Sequence, residues 1–301
     1  MAAKIISGNR TAEDIVRAHL EKKRREEAQK PKEERRQPTP SEGQIPAHVH
    51  NAGDYLVLEK ISCVGDDDTV FEQYDTLHVP KDVVRHQVND ENGAIKVVHK
   101  PFTPYQGVVH FEQQQNGLFL PSSALSCNVV VAIYRKAIRK ENGNYVTVDA
   151  EVKKVLDQYK DHGAGWGWHA QNTVINWGTG HIIHYPYDAH FPSSGGTHSI
   201  NQSQPHKRLA FDRTSFADMT LENALQIPNF KKYIRNLTGL ANPADLVEIG
   251  NYFGKPAKVW VSSSNETRAA WFGCDSSDLN LGGSGNLDSS GAARGVRRSA
   301  P

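Results

Sequence analysis

Near the C-terminus, the seventeen residues from Asp275 to Gly291 include fourteen Asp, Ser, Asn or Gly and only three apolar side chains, Leu279, Leu281 and Leu287. Small polar residues supply turns and hydrogen-bonding groups but almost no core volume. A fold that keeps such a stretch ordered must therefore hold it from both ends. Arg268-Ala269-Ala270-Trp271-Phe272-Gly273-Cys274 reads as a core strand before it, and Ala292-Ala293-Arg294-Gly295-Val296-Arg297-Arg298 as a final strand after it. Leu279 and Leu281 alternate as residues on one strand face do, which ties the stretch to a sheet. The competing reading is a flexible tail, the common state of Gly/Ser-rich termini. The leucine spacing and the return to an apolar strand favour a polar surface pinned at both ends, with Trp260 and Trp271 as its buried floor. Its candidate ligand-binding positions are Asp275, Ser276, Ser277, Asp278, Asn280, Gly282, Gly283, Ser284, Asn286, Asp288, Ser289 and Ser290.

The rest of the chain supplies the scaffold. At 301 residues there is room for one large or two modest cores. A hydrophobic share of 38%, a charged share of 23% and a mean hydropathy of -0.59 describe a soluble, rather polar globular protein. A formal net charge of +1 provides no global field for nucleic acid or membrane. Cysteines at 63, 127 and 274 are too scattered for a disulfide framework and point to a reducing compartment. Ile5-Ile6 is too short for a signal-peptide core and no apolar run approaches membrane-spanning length, so the expected location is cytoplasmic or virion-associated.

Three regions are expected. Residues 1–45 form a charged helical arm and linker: Thr11 is the N-cap, residues 1–36 carry 11 Lys/Arg against 7 Asp/Glu, and Pro38, Pro40 and Pro46 end it. Residues 46–205 form a mixed α/β region. Strands are predicted around Tyr55–Leu58, Val70-Phe71, Ile95–Val98 and Val108–Phe111. A helix follows, capped by Ser122 or Ser123 and carrying Cys127, Val130, Val131, Tyr134 and Ile138. A second carries Val152, Val155, Leu156 and Tyr159, and a hairpin spans 173–185. Residues 206–301 add a helix ended by Gly239, another opened by Pro243, and the strand Val259-Trp260-Val261 before the polar stretch.

The order Arg-Ala-Ala-Trp, small-polar run, Ala-Arg-Gly-Val-Arg resembles the end of C-type-lectin-fold proteins. More narrowly, it resembles the variable proteins of diversity-generating retroelements. Those proteins randomise a C-terminal patch by mutating the adenines of asparagine-type codons, and such changes to AAC yield Asp, Ser, Gly and Leu. With the parent Asn included, that set covers all seventeen residues from Asp275 to Gly291. Gly117-Leu118-Phe119-Leu120-Pro121-Ser122 is similar to the Gly-x-x-Leu-Pro-Thr turn of this fold. The resemblance covers about the last 40 positions and implies an α+β fold. In it, a C-type-lectin-like C-terminal module packs helices on a small antiparallel sheet, after a mixed region and a charged N-terminal helix. The function implied is non-enzymatic recognition of a protein or glycan ligand on a cell or particle surface. No cofactor, no specific nucleic acid and no membrane span are expected, and homo-oligomers are compatible with it.

Two rivals come from other classes. A cysteine near a helix start followed by a His-led strand is similar to papain-like (NlpC-type) cysteine peptidases. There Cys127 would be the nucleophile and His169 the base, oriented by His181 or His184. Ser126 and Asn128-Val129 depart from that family's flanking residues, and an apolar stripe around a thiol usually marks a buried one. The other rival is a structural protein of a virus particle, assembled through the charged arm. Metal ligation is not expected: His48-Val49-His50 lacks further ligands, and the histidines between 162 and 206 lack recognised ligand spacing. Asp275, Asp278, Asn280 and Asp288 are oxygen donors for calcium, without a loop motif to gather them.

Overall fold

Leu279 and Leu281 enter a sheet, and that sheet organises the molecule. The structure is a computed structural model that describes residues 51–114, 117–163, 167–185, 207–214 and 216–298. The arm and linker over 1–45 and the pair His48 and His50 lie outside the described residues. In chain order the first elements are β1 (Tyr55–Val64), β2 (Val70–Pro80), β3 (Arg85–Asn89), β4 (Ile95–His99) and β5 (Pro101–Phe102). Helices α1 (Pro104–Gln114) and α2 (Ser123–Ala137) come next, then β6 (Ile138–Glu141), β7 (Asn144–Thr147) and α3 (Ala150–Lys160). Strands β8 (His169–Asn176), β9 (His181–His184), β10 (Lys207–Ala210) and β11 (Met219–Thr220) precede α4 (Leu221–Ala224), α5 (Pro228–Thr238) and α6 (Ala244–Phe253). The chain ends through β12 (Ala257–Trp260), β13 (Thr267–Cys274), β14 (Leu279–Gly285) and β15 (Gly291–Ala292).

The architecture is mixed α+β. A nine-stranded sheet runs in the order β10-β9-β8-β13-β14-β12-β11, and β15 adds to it by pairing with β5 and β8. It is larger than the small antiparallel sheet expected, and it is mixed, because β14 returns parallel to β12 after pairing antiparallel with β13. Strands from 46–205 and from 206–301 are neighbours in it, so both regions contribute to one core. The chain divides between Ala47 and His48, and every element named above belongs to the unit His48–Pro301. No helix among the described residues is long and apolar enough to cross a membrane.

Helix α2 fills the centre. Ser122 caps it by accepting from the Leu125 N–H at 3.1 Å. Leu125, Cys127, Val130 and Ile133 are buried, and the helix packs on β1, α3 and α5, as a helix apolar around most of its circumference must. The periodicities expected for α3 and α5 are realised, with all eight of their apolar stripe residues buried. Helix α5 ends at Gly239 in the left-handed region, φ 60°, where a Cβ would lie 2.7 Å from that of Ala124.

Three local expectations fail for physical reasons. Val108–Phe111 is helical, not extended, because Thr103 and Gln106 cap α1 reciprocally and Pro104 occupies its first turn. Ile138 leaves α2 for a hairpin whose turn, Asn142 (φ 49°) and Gly143 (φ 82°), is the Asn-Gly type that suits two-residue connections. The final strand shrinks to β15, beyond which, among the described residues, isolated bridges join Val296 to Phe119 and Arg297 to His78.

Candidate functional site: two polar ends of one strand

Strand β14 decides where the polar stretch goes. Its seven residues are part of the sheet, and at about 3.3 Å per residue they hold the stretch's two ends roughly 20 Å apart. Of the twelve candidate positions, four precede the strand, Asn280, Gly282, Gly283 and Ser284 lie in it, and four follow it.

At the near end, Asp275 closes a turn on itself. Its Oδ1 accepts from the N–H groups of Ser277 and Asp278 at 2.8 and 2.7 Å, and its Oδ2 from Asn280 Nδ2 at 2.8 Å. Burial works to raise this carboxyl, but those hydrogen bonds prevail and hold it below the usual carboxylate range. Lys258 Nζ lies 2.9 Å from Asp278 Oδ2, Lys255 donates to the Asp275 carbonyl, and Trp260 Nε1 donates to Asn280 Oδ1. Asp278 and Asn280 are buried, 4% and 0% exposed, so they belong to the core and not to a display. The oxygen donors considered for calcium are thus engaged by amides and lysines, and Asp288 is at the other end of the strand. Among the described residues no group of three or more His, Cys, Asp or Glu could hold a metal ion. Only Ser276 and Ser277 stand fully in solvent here, with Asp275 half-buried.

In mid-strand, Gly282 and Gly283 are enclosed as well. The Gly283 carbonyl accepts from Trp177 Nε1 at 2.6 Å, and a Cβ on Gly283 would collide with the Tyr233 hydroxyl. These glycines permit close packing.

The far end is different. Ser284, Asn286, Asp288 and Ser290 are exposed, Ser289 is half-buried, and the half-buried Leu287 packs against the cluster of Trp271, Ala170 and Ala269. The Trp271 ring is the floor: it is 5% exposed, and a Cβ on Gly285 or Gly291 would strike it. Trp260 is half-buried under Asn280 at the near end, so it supports the other group. The Ser289 N–H donates to the Asn286 carbonyl at 3.2 Å, and the Ala292 N–H to the Trp168 carbonyl at 2.9 Å, closing the loop over 286–291.

A second loop, missing from the expected set, borders this strip. Arg268 bonds both Asn286 Oδ1 and Glu266 Oε2. Arg213 Nη1 donates to Asn265 Oδ1 at 2.8 Å and to the Ser264 carbonyl at 3.4 Å, fixing the β12–β13 connection. Ser262-Ser263-Ser264-Asn265 has the same small-polar composition as the main stretch, and that composition was the signal for it. Together Ser263, Asn265, Glu266, Arg268, Ser284, Asn286, Asp288 and Ser290 make a hydroxyl-, amide- and charge-bearing strip on a braced support.

The residues of the peptidase alternative do not converge. Cys127 is fully buried, and burial pushes its thiol up, away from the reactive thiolate. His169 stacks on Tyr159 with ring centroids 4.6 Å apart, and its Nε2 faces the Gln158 carbonyl at 3.4 Å. No hydrogen bond joins it to Cys127 among the described residues. His181 pairs with Asn176, seven residues along β8 from His169, or roughly 23 Å at strand rise. It sits near Thr179 and Arg208 instead. His184 is engaged on both nitrogens, by Thr173 Oγ1 at 2.9 Å and the Asn236 carbonyl at 2.8 Å.

No family model matches this sequence, and neither a curated protein nor a solved structure matches it.

Proposed function

We propose that this chain is a ligand-binding protein that presents the strip Ser284–Ser290, bordered by Asn265, Glu266 and Arg268, to a protein or glycan on a cell or particle surface. The observation that carries the reading is the division of labour in the 286–290 loop. Asn286, Asp288 and Ser290 are exposed while the half-buried Leu287 between them packs against the cluster that contains Trp271. A braced surface gives up little conformational freedom on binding, so its contacts translate more fully into affinity. On this reading the C-terminal half is a C-type-lectin-like module of the kind used as variable proteins by diversity-generating retroelements. Positions free to vary are then Ser276, Ser277, Ser284, Asn286, Asp288, Ser289 and Ser290, and Asp278, Asn280, Gly282 and Gly283 are fixed by packing.

A display library randomised at those seven positions, sorted against several unrelated soluble proteins, tests this. The expected result is folded binders with different target preferences and near-wild-type melting. Libraries that lose folding, or that fold and yield no binder to any target, would refute the proposal.

A further inference from the structure

Beneath the far end of the polar strip lies a group of side chains that the binding reading does not use. His99, at the end of β4, packs on His162 with ring centroids 4.1 Å apart, and His162 meets His169 edge-on at 5.9 Å. His169 stacks on Tyr159, and the Arg294 guanidinium lies 5.3 Å from the same ring. Arg294 is itself enclosed, 4% exposed, and donates to the Pro80 carbonyl and to Gln158 Oε1. His162 and His169 are 3% and 4% exposed.

The location gives the group its consequence. His169 is the β8 residue opposite Ala292 of β15, and Gly291 of β15 pairs with Phe102 of β5, three residues beyond His99. His169 thus lies on a strand that holds the chain as it leaves the polar loop, and His162 and His99 are packed in a row behind it. Arg294, two residues past β15, is the cation nearest to them on the departing segment.

We infer that His99, His162 and His169 with Tyr159 and Arg294 form an acid-sensitive latch on the C-terminal segment, closed when the imidazoles are neutral and opened when they take up protons. Protonating His169 places an imidazolium beside the enclosed Arg294 guanidinium, and protonating His162 places one beside His99 and His169; like charges in an enclosed site repel strongly. The groups facing the cluster do not cancel this. Arg85 and His86 on β3 add positive charge beside His99, and Arg294 adds it beside His169. Against them stand Asp161 beside His162 and Asp82 towards Arg294.

The direction follows from linkage. Burial first, then His99, brings the His162 imidazole down to about 4 from its ordinary 6.5. Burial, then Arg294 and His162, holds His169 well below that ordinary value. A detached imidazole takes up a proton at higher pH than a latched one. The closed state is therefore fully favoured above the ordinary value and loses ground as pH falls from 6.5 towards 4. Each unit of difference biases the equilibrium tenfold.

Hydrogen exchange on the full chain, corrected for intrinsic rates and compared between about pH 7.5 and about pH 5, reads the latch without any ligand. The expected result is a loss of protection in Ala292–Arg297 and β3–β4 at least about tenfold greater than that in α5, which shares only the general fall in stability. The paired variant H162N/H169Q, or H99Q/H162N should the first not fold, is expected to flatten this response. An unchanged response in a folded variant, parallel loss of protection in α5, or no loss in the wild type would overturn the inference.

Discussion

At Gly283 there is no space for even a methyl group, because the Tyr233 hydroxyl, Ile175 and Trp177 converge on it. Gly283→Ala is expected to lower stability by about 1–3 kcal/mol, as overpacked cores do. Ser284→Ala, on the exposed neighbour, should stay within about 0.5 kcal/mol, and thermal melts of the two side by side check the contrast. A second sharp site is Thr173. Its hydroxyl accepts from the Ser123 N–H at 2.8 Å and faces His184 Nδ1, while His184 Nε2 faces the Asn236 carbonyl and so must carry the proton. Thr173→Val strands two buried polar atoms and is expected to cost about 1–3 kcal/mol in denaturant unfolding. Residue identity alone did not reveal these roles. Asp278 and Asn280 look like surface residues in the sequence, yet their polar atoms are satisfied inside by Lys258, Trp260 and Asp275. Polarity reports a need for partners, not where the partners are.

Among elements, the sequence was readable where periodicity and end signals agreed. Helix α3 has its apolar spacing, α5 and α6 have theirs with Gly239 and Pro243 at their ends, and the β8–β9 hairpin has the Gly178–Gly180 turn. It misled where they conflicted. Val108 and Val109 suggested a strand, whereas Thr103, Pro104 and Gln106, a few residues earlier, start a helix. Removing that cap with Thr103→Ala is expected to cost about 1 kcal/mol, visible as a lower melting midpoint without loss of the fold. The polar stretch illustrates a different limit. Leu279 and Leu281 correctly marked a strand, but sequence spacing did not say that the strand would run through the sheet and part the patch into two ends.

On the scale of the whole molecule, acid is the condition that tests the packing. Burial brings both His162 and His184 down to about 4 from 6.5, so the unfolded chain binds protons there first. Stability is expected to be flat above about pH 6.5 and to fall towards pH 4. The loss for fully enclosed His184 alone is on the order of 3 kcal/mol, and urea titrations across that range read it. The larger claim concerns the strip over Trp271, which must be exposed and firm at once. Backbone order parameters for Ser284–Ala292 in the full chain address it most directly. Values near 0.85, matching those of β13, are the result expected, and values below about 0.6 would show a loose loop and contradict the account.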